Sequence, residues 1–215
     1  MHLTKAEADA MELRIAEVEA RTGVQVVAAI VGRSDAYPEI AWKAFAMGAA
    51  VAALAVVCLD MLRPDWMPDP AVWSNVAPIL GAGAASAILT LVLPAYARLY
   101  LEAAYRDGEV RQRAQALFHE RKLARTRGRD AVLLLASVFE RRVEVIADVG
   151  FDGRVEPREW RGVVDAMTPA FAGADPAEAL SRGVEAVESL LRAKGIAGSR
   201  VGDELPDRPI DEAGA

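Results

Sequence analysis

Two long uncharged stretches constrain this chain more than any other feature. Residues 44–59 contain no charged side chain, and neither do residues 70–97. Extended by residues 40–43 and 61–62, the first run reaches the roughly 20 apolar residues needed to cross the hydrocarbon core of a bilayer as a helix. Lys43 is placed to snorkel and Trp42 to sit at the interface, while Trp73, Tyr96 and Tyr100 bracket the second run as aromatic anchors. Two membrane-spanning helices are therefore expected, at about residues 40–62 and 72–97, with the lipid bilayer as a partner. The competing reading is a helical hairpin buried in a soluble core, but apolarity on all sides at this length is costly in water. Small residues four apart, Gly48/Ala52, Gly81/Ala85 and Gly83/Ala87, permit close helix contact in lipid.

The connector 63–70 (RPDWMPDP) is short, Pro-rich and slightly acidic, whereas residues 98–129 carry many arginines. The positive-inside rule then places the protein in the cell membrane with both tails cytoplasmic. A hairpin returns the chain to the side it left, so the segments on either side of it can complete one domain. The expected division is a split domain of residues 1–39 and 98–201, a transmembrane hairpin of residues 40–97, and an acidic, Pro-containing tail of residues 202–215, read as irregular.

At 215 residues the chain has room for one ordinary domain and a small addition. With 53% hydrophobic and 26% charged residues, the two kinds must be segregated along the sequence. A net charge of -6 disfavours nucleic acid, which calls for a basic surface; a membrane-protein partner fits better. Cys58 is the one cysteine, so no internal disulfide forms, and it reads as a small core residue. His2 and His119 are too far apart, without a second cysteine, for a zinc site, while oxygen-ligated ions stay open. The charged N-terminus lacks the apolar centre of a cleaved export signal.

Thr4 with Glu7 three residues on forms a capping-box pattern, and Met11, Ile15 and Val18 follow at helical spacing, predicting a helix over 4–21 that ends at Gly23. Residues 24–31 (VQVVAAIV) read as a strand buried on both faces, followed by a turn-rich loop, 32–39. Beyond the hairpin, residues 109–126 place Val110, Ala114, Leu117, Phe118 and Leu123 near one helical face. The basic side opposite is either solvated or laid against anionic lipid. Residues 131–138 (AVLLLASV) and 142–149 (RVEVIADV) predict two strands joined by Phe139-Glu140-Arg141 as a hairpin. Pro157 suits a first helical turn, with Trp160, Val163, Val164 and Met167 as the apolar stripe, and a last helix over 176–194 closes at Gly195. Trp160 and Phe171 read as packing residues rather than ligand platforms.

In that order, the segments resemble the TPM domain family of thylakoid-lumen, photosystem-repair and receptor-auxiliary proteins. The carriers are Glu19-Ala20-Arg21-Thr22 before VQVVAAIV, Gly128-Arg129-Asp130 before AVLLLAS, and FERRVEVIADVGFDGRVEPREW. The run Asp203-Glu204-Leu205-Pro206-Asp207-Arg208-Pro209 resembles the tail of bacterial members that contain a membrane hairpin. The resemblance implies an α/β fold, a three-layer α/β/α domain with a small mixed sheet. It also implies one of several activities: acid phosphatases and calcium binders occur in the family beside auxiliary subunits of membrane complexes. Its ion-binding members use acidic or amide groups in the loop before the second strand, often an Asp-Asn pair, where this chain has Arg129-Asp130.

Candidate site residues lie at strand ends. Asp35 follows the first strand, Asp130 precedes the second, and Asp148 and Asp152 flank the turn after the third. Gathered together, such carboxylates hold a hard cation, Ca2+ or Mg2+, and a metal there polarises a phosphoryl group. Alternatively they cap helices, accept turn hydrogen bonds or pair with Arg141, Arg142 and Arg154. His119 has no Ser or Cys partner nearby in sequence, and no G-x-S-x-G elbow, P-loop or dinucleotide fingerprint is present. The expected function is an interaction or regulatory module of a membrane complex, with a divalent-metal-dependent phosphatase as the alternative. A channel or transporter is disfavoured, since the two spans carry no central charge and supply too little wall for a pore.

Overall fold

The computed structural model describes residues 3–62, 72–172, 175–198 and 205–214, without the side chains of residues 72–74, 104 and 172. It divides into two compact units, Met1–Asp35 with Ala104–Ala215, and Ala36–Ala103.

The first unit begins with α1 (Lys5–Thr22). Its capping box is made: Thr4 Oγ1 accepts the Glu7 N–H and Glu7 accepts the Thr4 N–H. The Thr4 hydrogen bonds hold the Glu7 carboxyl below its usual range. Gly23, at φ 71°, ends the helix in the left-handed conformation that glycine adopts without strain. The sheet contains β1 (Gln25–Val31), β2 (Ala131–Ser137), β3 (Arg142–Ala147) and β4 (Ile210–Glu212), in the order β3-β2-β1-β4. β1 runs parallel to β2 and β4, and β3 runs antiparallel to β2.

Helices cover both faces of this sheet, which accounts for the unbroken apolar runs of its centre. Val26, Ala28 and Ile30 of β1, with Val132 and Leu134 of β2, pack on Ile15 of α1, Met167 of α6 (Pro157–Ala172) and Leu180 of α7 (Pro176–Ala193). The intervening residues Val27, Ala29, Leu133 and Leu135 face the other way, onto Ala114, Leu117 and Phe118 of α5 (Ala103–Glu120). The α/β/α layering and the small mixed sheet agree with expectation.

The acidic tail does not. Residues 210–212 are not irregular but form β4, docked beside β1. The Gly32 N–H donates to the Glu212 carbonyl at 2.8 Å, and Arg113 and Arg121 of α5 hold the Glu212 carboxylate at 2.5 and 2.8 Å. Burial pushes that carboxyl up, but hydrogen bonds from Arg121 and Arg113 and their charges outweigh it, so its pKa is lowered overall. Asp203 and Glu204 of the run likened to the tail of bacterial members, and the connector at 63–70, lie outside the described residues. α5 also starts earlier and stops earlier than predicted, with a short 3-10 turn, Leu123–Arg125, completing its end.

The second unit is the hairpin: α2 (Pro38–Met61), α3 (Val72–Val92) and a short α4 (Pro94–Ala97). The second apolar run is therefore not one helix to residue 97. Pro94 has no N–H to continue the ladder and pushes Leu93 to an extended ψ of 95°, so the chain restarts at Pro94. α2 and α3 pack antiparallel, Ser86 Oγ donating to the Ala44 carbonyl at 2.7 Å. A Cβ on Gly48 would stand 2.7 Å from the Ser86 Cβ and 2.8 Å from the Ala82 carbonyl, and one on Gly83 would meet the Phe45 ring, whereas Gly81 faces open space. Gly48 and Gly83 thus set the close approach and Gly81 does not. Gly48→Leu is expected to force α2 and α3 apart, read as lower helix-to-helix cross-linking between cysteines placed at Ala44 and Ala82 in a Cys58→Ala background.

Only 6% of the most apolar window of α2, and 17% of that of α3, is buried, so these are not core helices of a soluble domain. Both are long and apolar enough to cross a membrane. Cys58 accordingly is exposed rather than a core residue.

Candidate functional site

The four aspartates are divided by the strand directions. β1 and β2 are parallel with Gln25 opposite Ala131 and Val31 opposite Ser137, so Asp35 and Asp130 lie at opposite ends of the sheet. The seven-residue strands separate those ends by about 20 Å at ~3.3 Å per residue. The expectation that Asp35 joins the others is therefore corrected. Asp130, Asp148 and Asp152 do share an end, because β3 returns antiparallel and the Asp148 N–H donates to the Ala131 carbonyl at 2.9 Å.

That end is tightly built. The Gly150 N–H donates to the Arg129 carbonyl at 2.9 Å, and a Cβ on Gly128 would collide with the Asp130 carboxylate. Asp148 caps the 3-10 turn Val149–Phe151, its Oδ1 accepting the Val149 N–H at 2.7 Å. Its Oδ2 accepts from Arg129 Nε at 3.1 Å. Both oxygens are thus engaged, and a guanidinium stands where a dication would have to sit. Asp152 is exposed, and Asp130 lines a separate cavity of about 190 Å³ with Val24, Phe151 and Arg154. Among the described residues no three Asp, Glu, His or Cys side chains form a group able to hold a metal. As arranged, these residues do not fit a hard-cation site, which needs several converging oxygens. The arginine partner of Asp148 is Arg129, and Arg142 instead pairs with Asp107 at 2.7 Å. His119 is exposed on α5.

A larger cleft, about 840 Å³, follows the outer side of β3. Residues 144–147 of β3 line it together with Arg111 and Gln115 of α5 and Trp160, Arg161 and Val164 of α6. Phe151, edge-to-face with Trp160 at 5.5 Å, closes the end nearest the turn. Sequence reasoning missed this cleft. Its signal was the alternation in RVEVIA, where polar Arg142 and Glu144 mark a strand that is not covered on both faces. Burial pushes the Glu144 carboxyl up; Arg111 opposes this and Asp107 adds to it. A carboxyl whose folded pKa is raised binds a proton more readily folded than unfolded, so its contribution to stability falls as pH rises through the window above 4.5. Glu144→Gln is expected to raise stability at neutral pH and to flatten the decline across that window, measured by denaturant titration at several pH values.

At the opposite end of the sheet lies a second feature not foreseen. Glu140, 1% exposed, accepts the Ser34 N–H at 2.8 Å and the Ser137 hydroxyl, and the two serine hydroxyls are 2.8 Å apart. Arg33 stacks on the Phe139 ring at 4.1 Å. The carboxyl ends of β1 and β2, the usual ligand position in open α/β sheets, are here filled by the chain's own side chains.

Compared with known proteins, the chain matches the sequence model of the TPM domain at residues 97–190. No curated protein matches it. The NMR structure of the BA42 protein from the psychrophilic bacterium Bizionia argentinensis is similar over 98% of this chain and 96% of that one, with a TM-score of 0.58 and 15% identity, a likeness of fold alone. The matched span omits α1 and β1, which complete the sheet from the other side of the hairpin. Residues 97–190 are thus similar to the TPM domain by sequence, in agreement with the resemblance to the TPM domain family read from the residues.

Proposed function

We propose that this protein is a membrane-anchored interaction or regulatory module, a TPM-type domain held at the cell membrane with both tails cytoplasmic and acting within a membrane-protein complex. The observation that supports this reading is the place of the hairpin. It interrupts the chain between β1 and β2, the two neighbouring central strands, so the anchor is built into the domain rather than appended to it. The open cleft along β3 supplies a surface for contact.

Gentle detergent extraction of the tagged full chain, followed by size separation and identification of co-migrating proteins, tests the reading. A specific membrane-protein partner, with no hydrolysis of p-nitrophenyl phosphate in Ca2+ or Mg2+, is expected. Saturable Ca2+ or Mg2+ binding that Asp130→Ala and Asp148→Ala abolish, accompanied by phosphate-ester hydrolysis, would overturn it in favour of a metal-dependent phosphatase.

A further inference from the structure

We infer that the tail, residues 205–212, is an internal occupant of a peptide-binding site along the side of β1 away from β2, and that an extended segment of a partner protein with the same anchors, an apolar residue then Asp then Glu, displaces it. The inference rests on the interaction-module reading and gives that module a surface which the chain itself keeps closed.

The tail shows in its own side chains what the site takes. Leu205 meets the start of β1, its N–H donating to Gln25 Oε1 at 3.0 Å, and Ile210–Glu212 pair in parallel with Ala29–Val31 at the other end. Successive residues of an extended segment point to opposite faces. Ile210 and Glu212 accordingly turn to the α5 layer, where Ile210 packs on the cluster of Val27, Ala29 and Leu117, and Glu212 lies between Arg113 and Arg121. Asp211 turns to the α1 layer, and its Oδ2 accepts the Leu3 N–H at 3.0 Å, just ahead of that helix. Three successive positions thus have three distinct seats: an apolar shelf, a backbone N–H and a pair of guanidiniums. Glu120 also stands near the pair, 3.6 Å from Arg113, but it is more than half exposed, and Glu212 is the carboxylate on which both arginines close.

The hold is suited to exchange. β1 and β2 are buried at every one of their seven residues, whereas all three residues of β4 are only half-buried. A three-residue ladder with a single apolar side chain removes little surface from water, and ion pairs whose side chains are a quarter to a half exposed contribute little to stability. Such a segment opens locally at a fraction of the free energy that unfolds the domain. The backbone groups and charges it leaves behind are those a strand from another chain uses on adding to a sheet edge. Being tethered, the tail competes at an effective concentration on the order of millimolar, which closes the site to weak ligands.

The test uses the full chain in nonionic detergent micelles and, as probe, a fluorescent peptide of the tail's own residues 205–215 (LPDRPIDEAGA), followed by anisotropy. An Ile210→Asp/Glu212→Lys variant, whose tail no longer fits, is expected to bind this peptide at least about ten-fold more tightly than the parent, with its fold checked by its thermal transition. Adding Arg113→Glu/Arg121→Glu to that variant is expected to lose the peptide and to gain binding of the peptide carrying Glu212→Lys, a rescue that mere destabilisation cannot give. In the parent, amide hydrogen exchange is expected to be fast and accelerated by salt over residues 205–212 while β2 stays protected, a readout that decides the matter even where a variant fails to fold. Equal binding by parent and released variant, no binding by either, indifference to the charge reversals, or exchange of residues 210–212 only together with β2 would overturn the proposal. The released variant is also expected to recover more of the membrane-protein partner than the parent does. If it recovers no more, the proposal is overturned while the module reading stands; if neither chain recovers a partner, the module reading fails and the proposal with it.

Discussion

Phe151→Ala is expected to destabilise the α/β domain by about 3–5 kcal/mol, the usual range for emptying a large aromatic site in a core. Phe151 is 2% exposed and packs in the same cluster as Val24, Val26 and Ile196, and its ring meets Trp160 edge-on. It therefore ties the turn after β3 to the start of α6 and to the start of β1. Little can collapse into the space, because the turn is already fixed by the Asp148 cap and by the Gly150 bond to Arg129. For a domain of this size the loss corresponds to a fall in Tm on the order of 10 °C. Denaturant titration of the variant in detergent checks it, and a loss below about 1 kcal/mol would mean that the turn is not anchored as described.

Glu19→Ala is expected to cost about 2–4 kcal/mol through a different mechanism, the stranding of buried donors. The Glu19 carboxylate accepts the Val26 N–H at 2.7 Å and Gln25 Nε2 at 3.0 Å. Gln25 in turn accepts the Leu205 N–H through its Oε1 at 3.0 Å. One acidic side chain thus joins the end of α1, the start of β1 and the returning C-terminal segment. Thr22, three residues on, completes the junction: its hydroxyl donates to the Val18 carbonyl and accepts the Val24 N–H. This is a physical account of the Glu-x-x-Thr pattern before the first strand. Glu19→Gln keeps one acceptor for the Val26 N–H and is expected to lose roughly half as much; equal losses for both variants would argue against the hydrogen-bond explanation.

What could be read from the residues was what local chemistry decides. α1 was legible because Thr4, Glu7 and Gly23 state its ends chemically, and β1 and β2 because strands covered on both faces carry unbroken apolar runs. β4 was not, since only Ile210 is apolar and its hold comes from Gly32, Arg113 and Arg121, far away in the chain. Cys58 was misplaced because an apolar helix has the same composition whether its surroundings are protein or lipid. The break at Pro94 was written in the sequence, yet the uncharged run continued through it. Among the candidate aspartates, position at a strand end was legible, but which end was not. That depends on β1 pairing parallel with β2 across the inserted hairpin, a long-range fact that separates Asp35 from Asp130 and Asp148. Arg129 as the partner of Asp148 follows from the antiparallel pairing of β2 with β3, which brings the loop before β2 beside the turn after β3.

The central claim, a cytoplasmic domain interrupted by a membrane hairpin, is tested most directly by labelling single cysteines at Asp65, between the two helices, and at Ala10 and Ser181 of the domain, in a Cys58→Ala background, with a membrane-impermeant thiol reagent. The account predicts that Asp65→Cys is labelled in intact cells while Ala10→Cys and Ser181→Cys are labelled only after permeabilisation. Labelling of Ala10→Cys and Ser181→Cys on opposite sides of the membrane would contradict it, because α1 and α7 belong to one α/β domain.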